Sequence, residues 1–299
     1  MKILKYPIVI SDNIIPLVYD REFKSFASIY SKELVDFIIS LCELNIECNN
    51  YNLINNKITT FYEDDKLMVT DLVYQLNDKI FLNIELNTSK SKYLMYKNLL
   101  YIYKILLSNQ NKGKKYKNVT VIQVNFDLYS FKNMDKVKNV IKVMNKDNLK
   151  EYLNTFTIFH LELDKAWNNE YNVSEEGIRF LRMLSSRSKI LNKYLARDNL
   201  FLKKVAKFME EYSNSSDNLL YYNQKELDDY IKASELEDSY NSGLSKGKSL
   251  GLSEGKNLGK QENSIEIAMK MLEDGMPLGT ISKYSGLSKE EILKLKNNN

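Results

Sequence analysis

The feature that most constrains the fold is a run of alternating apolar residues between positions 67 and 87, interrupted by a short polar turn. The even-numbered positions on both sides of that turn are apolar: Leu72, Tyr74, Leu76, Ile80, Leu82, Ile84 and Leu86. A period of two places alternate side chains on opposite faces of a strand. The pattern therefore predicts the two strands of a β-hairpin, with one face on a hydrophobic core.

The length of the hairpin loop fixes which residues oppose each other. A three-residue loop formed by residues 77–79 places Leu72 opposite Ile84, and on the other face it places Asp71 opposite Glu85. A two-residue loop would pair apolar with polar positions along the whole ladder, so we reject it.

Two opposed carboxylates need neutralisation. Directly opposed Cβ atoms lie roughly 4.5–5.5 Å apart, and like charges there destabilise a sheet. At an effective dielectric constant of about 20, charges about 4 Å apart repel by on the order of 4 kcal/mol. A shared proton, a nearby lysine or a divalent cation would relieve this repulsion, and Mg²⁺ is commonly bound by one or two protein carboxylates with water and phosphate. A solvent-facing acidic pair screened by lysines is the alternative.

Composition excludes several other kinds of site. The formal charge of +4 over 299 residues permits a polyanionic partner without requiring one. Cys42 and Cys48 form no disulfide framework, which indicates a reducing, cytoplasmic setting. The single histidine, His160, lies in an apolar strand-like segment, so we expect a structural role and neither a zinc site nor a Ser-His-Asp mechanism. No apolar run or signal-peptide pattern predicts a membrane association.

Periodicity along the chain predicts an α/β fold. Helical spacing predicts helices over 21–44, with a break near Ser31, and over 92–109. Strands are predicted over 119–126, 137–144 and 155–163. This order is typical of a mixed central β-sheet flanked by helices, followed here by an all-α C-terminal region. In the 92–109 helix the residues expected to pack inward include Leu99, Leu100 and Tyr103, whereas Lys97, Tyr101 and Lys104 fall on a more polar stripe.

The chain is expected to divide into four segments: the α/β domain over 1–170, a helical extension over 171–240, a glycine repeat over 241–262 and a small helical tail over 263–299. Glycine recurs every fourth residue in the repeat: Gly243, Gly247, Gly251, Gly255 and Gly259. Each costs about 1 kcal/mol relative to alanine in a lone helix. The repeat is therefore a flexible linker, or a helix that a second helix approaches closely, which would offer a route to a homodimer.

The tail contains two short helices around Gly286, with a capping box at Ser288-Lys289-Glu290-Glu291. Two helices in this arrangement resemble a helix-turn-helix. A small helical tail that packs on itself or on a partner is the other interpretation.

Four segments resemble one nuclease superfamily. They are the opening signature Asp20-Arg21-Glu22-Phe23-Lys24, the hairpin with Asp71 and 83–87, the tyrosine-rich helix 93–101, and the late strand 158–165. Together they resemble the PD-(D/E)XK nucleases, and more closely the recombination-promoting nuclease and putative transposase families.

The resemblance implies a restriction-endonuclease-like fold that hydrolyses DNA phosphodiester bonds with Mg²⁺ or Mn²⁺. Asp71 and Glu85 would bind the metal, and Asn87 would complete the catalytic set. Asn87 departs from the pattern, because the superfamily has lysine at this position and the family often has glutamine. Lys90, Lys92 and Lys97 are candidates to supply the missing charge, and Glu22 is a candidate for a further acidic ligand.

The residues expected to contact DNA are Lys104, Arg179, Arg182 and Arg187. Two functions therefore follow from the sequence. The first is a metal-dependent DNA endonuclease of transposase or recombination-promoting type. The second is a catalytically degenerate relative that binds DNA or a partner protein.

Overall fold

The structure is a computed structural model that describes residues 14–46, 48, 51–54, 57–58, 68–69, 71–110, 115–168 and 172–297. Contacts divide the chain into two compact units, Met1–Tyr222 and Asn223–Asn299. The four-segment division remains a prediction. No described helix is both long and apolar enough to cross a membrane.

The helices of the described chain have the following bounds: α1 Asp20–Ile29, α2 Ser31–Leu41, α3 Leu94–Ser108, α4 Glu175–Ser185, α5 Lys189–Leu195, α6 Leu200–Ser213, α7 Ser216–Glu273, α8 Leu278–Ser285 and α9 Lys289–Asn297. The strands have these bounds: β1 Asn52–Ile54, β2 Lys57–Ile58, β3 Met68–Val69, β4 Leu72–Gln75, β5 Ile80–Asn87, β6 Thr120–Asp127, β7 Lys138–Met144 and β8 Glu151–Glu162.

A six-stranded mixed sheet forms the centre of the first unit, with the strand order β1-β4-β5-β6-β8-β7. The β5–β6 and β6–β8 pairs are parallel, whereas β1–β4, β4–β5 and β7–β8 are antiparallel. β2 and β3 pair separately. The sheet and its flanking helices confirm the predicted α/β class.

Helices cover both faces of this sheet. The larger core joins the even-numbered face of the hairpin to apolar side chains of α1, α2, α4, α5 and α6. A smaller core on the opposite face joins Val73, Phe81, Val121 and Ile158 to Ile102 and Ile105 of α3. Because both faces are covered, the polar residues Asn83, Glu85 and Asn87 on the odd-numbered face of β5 are buried.

The predicted hairpin register is confirmed. Leu72 pairs with Ile84, and the same register continues to Gln75 and Phe81. The three-residue loop is closed by the Leu76 N–H, which donates to the Ile80 carbonyl at 2.9 Å. Asn77 Oδ1 accepts from the N–H groups of Lys79 and Ile80, both at 2.9 Å. The first predicted strand is interrupted, because Asp71 lies in a bend between β3 and β4, and Leu67 and Thr70 lie outside the described residues.

The prediction for the inward face of α3 was partly wrong. Leu99, Leu100 and Tyr103 are exposed, whereas Asn98 and Tyr101 are buried against the sheet. The apolar residues of this helix extend around most of its circumference, so periodicity alone could not select the packed face.

The described residues of the second unit form helices that are joined by short turns at 274–277 and 286–288. α7 continues through the glycine repeat, and a Cβ built at any of its five glycines meets no atom within 4 Å. α8 ends at Gly286, whose φ of 75° suits glycine. The capping box is confirmed, since Ser288 N–H donates to Glu291 Oε2 at 2.8 Å and Glu291 N–H donates to Ser288 Oγ at 3.2 Å. Ala268, Ile281 and Ile292 form the small core of these helices.

Replacement of Phe180 by alanine tests whether the helical extension stabilises the sheet domain. Phe180 is fully buried, with ring centroids 5.0 Å from Phe37 of α2 and 5.9 Å from Phe126 of β6. We expect Phe180→Ala to lower the free energy of unfolding by about 3–5 kcal/mol, measured by urea denaturation. Ile190→Ala, at a position that is 70% exposed, is the control and should change it by less than about 0.5 kcal/mol. Equal effects of the two changes would contradict the packing.

Candidate active site

Asp71 and Glu85 are held together by reciprocal backbone hydrogen bonds. The Asp71 N–H donates to Glu85 Oε1 at 3.1 Å, and the Leu86 N–H donates to Asp71 Oδ2 at 2.7 Å. Each carboxylate therefore accepts from the backbone beside the other, which fixes both side chains at the end of the hairpin. The Glu85 side chain has no exposed surface, and Asp71 is partly buried.

Lys97 of α3 provides the neutralising charge. Its Nζ lies 2.9 Å from Glu85 Oε2, and its side chain is 39% exposed. The same ammonium group lies 5.2 Å from the ring centroid of Tyr101. Of the lysines considered from the sequence, Lys97 reaches the acidic pair, whereas Lys90 is exposed and Lys92 lies over the ring of Tyr93 at 5.0 Å.

Burial and mutual repulsion perturb the titration of this pair. Burial, followed by the charge of Glu85, raises the pKa of Asp71 to about 7. Burial also raises the pKa of Glu85, although the charge of Lys97 opposes the shift. For Lys97, burial lowers the pKa, but Glu85 more than offsets this effect and the net shift is upward. Two anions and one cation thus share a poorly solvated site.

Polar side chains continue from this pair across the next two strands. The parallel register aligns Glu85 with Asn125 and His160, and it aligns Asn87 with Asp127 and Glu162. All six side chains are at most 7% exposed. Buried polar groups are costly unless they are hydrogen-bonded, so this array at the ends of adjacent strands is a candidate for part of a functional site.

Asn87 is oriented by Asp127. The Asn87 side-chain amide donates to Asp127 Oδ1 at 2.8 Å, and His160 Nδ1 lies 2.7 Å from Asp127 Oδ2. Because the carboxylate accepts from the amide nitrogen, the Asn87 carbonyl oxygen remains as the group that can serve the site. His160 is thus buried beside Asp127, and its structural role stays a prediction.

Glu22 as a further acidic ligand stays a prediction. Glu22 is buried beside α6, where burial first and the charge of Glu22 second raise the pKa of Tyr212. Instead, the exposed Asp20 contributes to raising the pKa of Asp71. Asp20 pairs with Lys24 at 2.6 Å. Sequence reasoning missed Asp20, although it is the first residue of the quoted signature 20–24.

The arginines expected to contact DNA are largely engaged within the protein. Arg179 is buried, and its Nη1 donates to the Arg197 carbonyl at 2.7 Å. Arg182 Nε donates to the Ala166 carbonyl at 2.8 Å. Arg187 is exposed and lies 6.0 Å from the ring centroid of Tyr222. Lys104 is partly exposed on α3.

The acidic pair fits a divalent cation that completes its coordination shell with water and phosphate. The described residues contain no group of three or more His, Cys, Asp or Glu side chains that could enclose an ion. Mg²⁺ needs no such enclosure, because one or two carboxylates suffice when phosphate is present. Glu85 Oε2 is buried and accepts no well-aligned hydrogen bond from the described residues, although Lys97 lies 2.9 Å away. A cation would relieve the repulsion that raises the pKa of Asp71.

A mixed sheet whose hairpin carries an acidic pair, flanked by helices on both faces, defines a restriction-endonuclease-like protein. The model of the PD-(D/E)XK nuclease family transposase matches residues 22–238. The chain therefore belongs to the PD-(D/E)XK nuclease transposase family.

A second model, the C-terminal HTH domain of the Rpn/YhgA-like nuclease family, matches residues 261–297. This match favours the helix-turn-helix interpretation of α8 and α9, and it supports DNA binding. The searches of curated proteins and of solved structures gave no match.

Replacement of Asp71 by asparagine tests the electrostatics of the pair. A folded-state pKa of about 7, above the unfolded value of about 3.9, means that the folded protein retains a proton that the unfolded chain has lost. The stability due to this group is therefore fully present below about pH 4 and is lost as the pH rises from 4 to 7. We expect Asp71→Asn to be more stable than wild type at pH 8 without divalent cations, and we expect its advantage to grow by on the order of 2–3 kcal/mol between pH 5 and pH 8.

The measurement is urea denaturation at both pH values with EDTA present. Asp78→Asn, which removes an exposed carboxylate from the loop of the same hairpin, is the matched control. An Asp71→Asn variant that is equally or less stable than wild type at pH 8 would contradict a destabilising repulsion between the Asp71 and Glu85 carboxylates.

Proposed function

We propose that the protein is a metal-dependent DNA endonuclease of transposase type, with its catalytic centre at Asp71, Glu85 and Lys97. The observation that carries the proposal is the convergence of two buried carboxylates and one lysine at the end of the hairpin. The family match supports a nuclease or transposase type of function. The reaction proposed is hydrolysis of a DNA phosphodiester bond.

Asp71 and Glu85 would hold Mg²⁺ or Mn²⁺. A bound cation polarises the scissile phosphate and lowers the pKa of the attacking water. The backbone hydrogen bonds to both carboxylates keep these oxygens in place before substrate arrives, which is the preorganisation that electrostatic catalysis requires.

Lys97 takes the role that Asn87 cannot perform. Asparagine carries no charge, so position 87 cannot stabilise the negative charge that develops on the phosphate. Lys97 brings an ammonium group to the same acidic pair from α3 and remains partly accessible to a ligand. Its Nζ can donate a hydrogen bond to a non-bridging phosphate oxygen while its charge remains close to Glu85.

Asn87 would act through its carbonyl oxygen. With its amide nitrogen committed to Asp127, Asn87 can accept a hydrogen bond from water but cannot donate one to phosphate through the same N–H. Asp127 and His160 are then positioning residues, since they fix the orientation of Asn87 and do not themselves reach the acidic pair.

Plasmid nicking tests the proposal. Wild-type protein incubated with supercoiled plasmid and Mg²⁺ or Mn²⁺ should convert it to the nicked form, resolved on an agarose gel. Asp71→Ala should lower this rate by about 100-fold or more, because a metal ligand is lost. Its affinity for the same DNA, measured with EDTA present, should be unchanged.

Lys97 is tested by replacement with glutamine and with arginine. Loss of a preorganised charge that stabilises the transition state predicts a fall in nicking rate of about 10²–10³-fold for Lys97→Gln, with partial recovery in Lys97→Arg. Lys142→Gln, which removes a lysine that pairs with Glu151 on β7 and β8, is the matched control. Urea denaturation of each variant separates a catalytic loss from unfolding.

A DNA-binding protein without nuclease activity is the second candidate. It is favoured by the position of Lys97, which already neutralises Glu85, and by the asparagine at position 87. This candidate predicts DNA retention that weakens steeply with salt, no nicking with either metal, and no effect of Asp71→Ala. A crystal soaked in Mn²⁺ distinguishes the two, because the nuclease requires an anomalous signal between Asp71 and Glu85.

A further inference from the structure

The outer face of α3 carries a row of exposed side chains that the proposed catalytic centre does not use. Tyr93, Tyr96, Leu100 and Tyr103 recur at intervals of three and four residues, so they share one side of the helix. They are 62%, 70%, 51% and 59% exposed, respectively. We call these four residues the tyrosine row. With a rise of 1.5 Å per residue, Tyr93 and Tyr103 are about 15 Å apart along the helix.

The row ends beside a pocket of about 280 Å³. Tyr103, Leu106 and Leu107 line it from α3, and Tyr116 and Lys117 line it from the segment that leads to β6. This volume lies just below the range of about 300–1,000 Å³ that is typical of pockets for drug-sized ligands, so the pocket suits one small planar group. Tyr116 is 95% exposed and extends the aromatic surface beyond the end of α3.

The surrounding sequence is strongly cationic. From residue 86 to residue 126 the chain has eight lysines and no aspartate or glutamate. The lysines are Lys90, Lys92, Lys97, Lys104, Lys112, Lys114, Lys115 and Lys117, of which Lys112 and Lys114 lie outside the described residues. Lys97 and Lys104 lie along one edge of the tyrosine row, since each follows a row tyrosine by one position.

The positive charge of these lysines favours a polyanion over a second copy of the chain as the ligand of the tyrosine row. A second copy of the chain in a two-fold dimer would place the same acid-free surface against itself, and the repulsion between lysines would oppose association. A polyanion is attracted by the same lysines. Exposed tyrosines interleaved with lysines supply both elements of a single-strand binding surface, which are aromatic faces for bases and cations for the backbone.

We infer that the tyrosine row binds unpaired nucleotides of a single-stranded DNA segment and guides that strand to Lys97 and the acidic pair. This inference rests on the proposed function, because it assigns the substrate class of the same site: DNA with unpaired bases next to the scissile phosphate. About four stacked nucleotides at about 3.4 Å each span the row, and a further base fits the pocket at Tyr103. Duplex DNA keeps its bases stacked on each other and offers none to the tyrosines.

Binding of fluorescein-labelled oligo-dT and of a duplex of equal length tests the inference by fluorescence anisotropy. The buffer contains EDTA, so the result does not depend on metal or cleavage. Stacking of ordinary strength predicts that Tyr96→Ala and Tyr103→Ala each weaken oligo-dT binding by about fivefold or more. Tyr96→Phe and Tyr103→Phe keep an aromatic face and should retain wild-type affinity. Tyr152→Ala, at a position that is 75% exposed on β8, is the matched control and should also bind as wild type does.

Duplex affinity should change less than twofold in every tyrosine variant. Unchanged oligo-dT affinity in both alanine variants, or an equal loss for oligo-dT and duplex, would overturn the inference. A shift from dimer to monomer in the alanine variants, seen by sedimentation equilibrium, would also overturn it in favour of a second copy as occupant.

The metal-free binding assay separates this inference from the proposed function. Because it contains EDTA and needs no cleavage, binding through the row can be established even where plasmid nicking fails. The opposite result is also distinguishable: plasmid nicking could depend on Asp71 while the tyrosine variants bind oligo-dT as wild type does. That result would support the nuclease and overturn only the inference about the tyrosine row.

Discussion

A carboxylate without exposed surface, Glu85, determines how the hairpin and α3 are arranged. Burying an isolated charge costs several kcal/mol, so a counter-charge must come from close by. The Lys97 ammonium group provides this counter-charge from the following helix, and the Asp71 N–H adds a hydrogen bond from the preceding bend. Without Lys97, Glu85 would be a buried anion that lacks a counter-charge. The packing of α3 on the sheet, which holds Lys97 beside Glu85, therefore matters for stability.

The polar array across β5, β6 and β8 extends the same constraint. Asp127 connects Asn87 and His160, because one of its carboxylate oxygens contacts the Asn87 amide and the other contacts His160 Nδ1. The orientation of each side chain therefore constrains that of its neighbour. Such a network contributes little net stability compared with apolar packing of equal volume. The network lies at the carboxyl ends of the parallel strands β5, β6 and β8, beside the carboxylates of Asp71 and Glu85, which is where we propose that a cation and a phosphate bind.

Several features of the fold and site could be predicted from the sequence because they depend on local patterns. The alternation through the hairpin gave the correct register, and the loop residues selected its length. The capping box at Ser288 formed as predicted, since its partners are three residues apart. The inward face of α3 was predicted incorrectly at Leu99 and Leu100, because an apolar residue is compatible with both faces of a helix that is apolar around most of its surface.

By itself, the sequence determined the register of β4 and β5, and this register places the bend that contains Asp71 next to Glu85. It also determined the acid-free, lysine-rich stretch from 86 to 126. Only the tertiary structure decided that Lys97 reaches the pair, that Asp127 turns the amide of Asn87, and that Arg179 is buried. These contacts join elements that are distant in the chain or held by helix packing, and periodicity specifies the face of an element but not the partner packed against it.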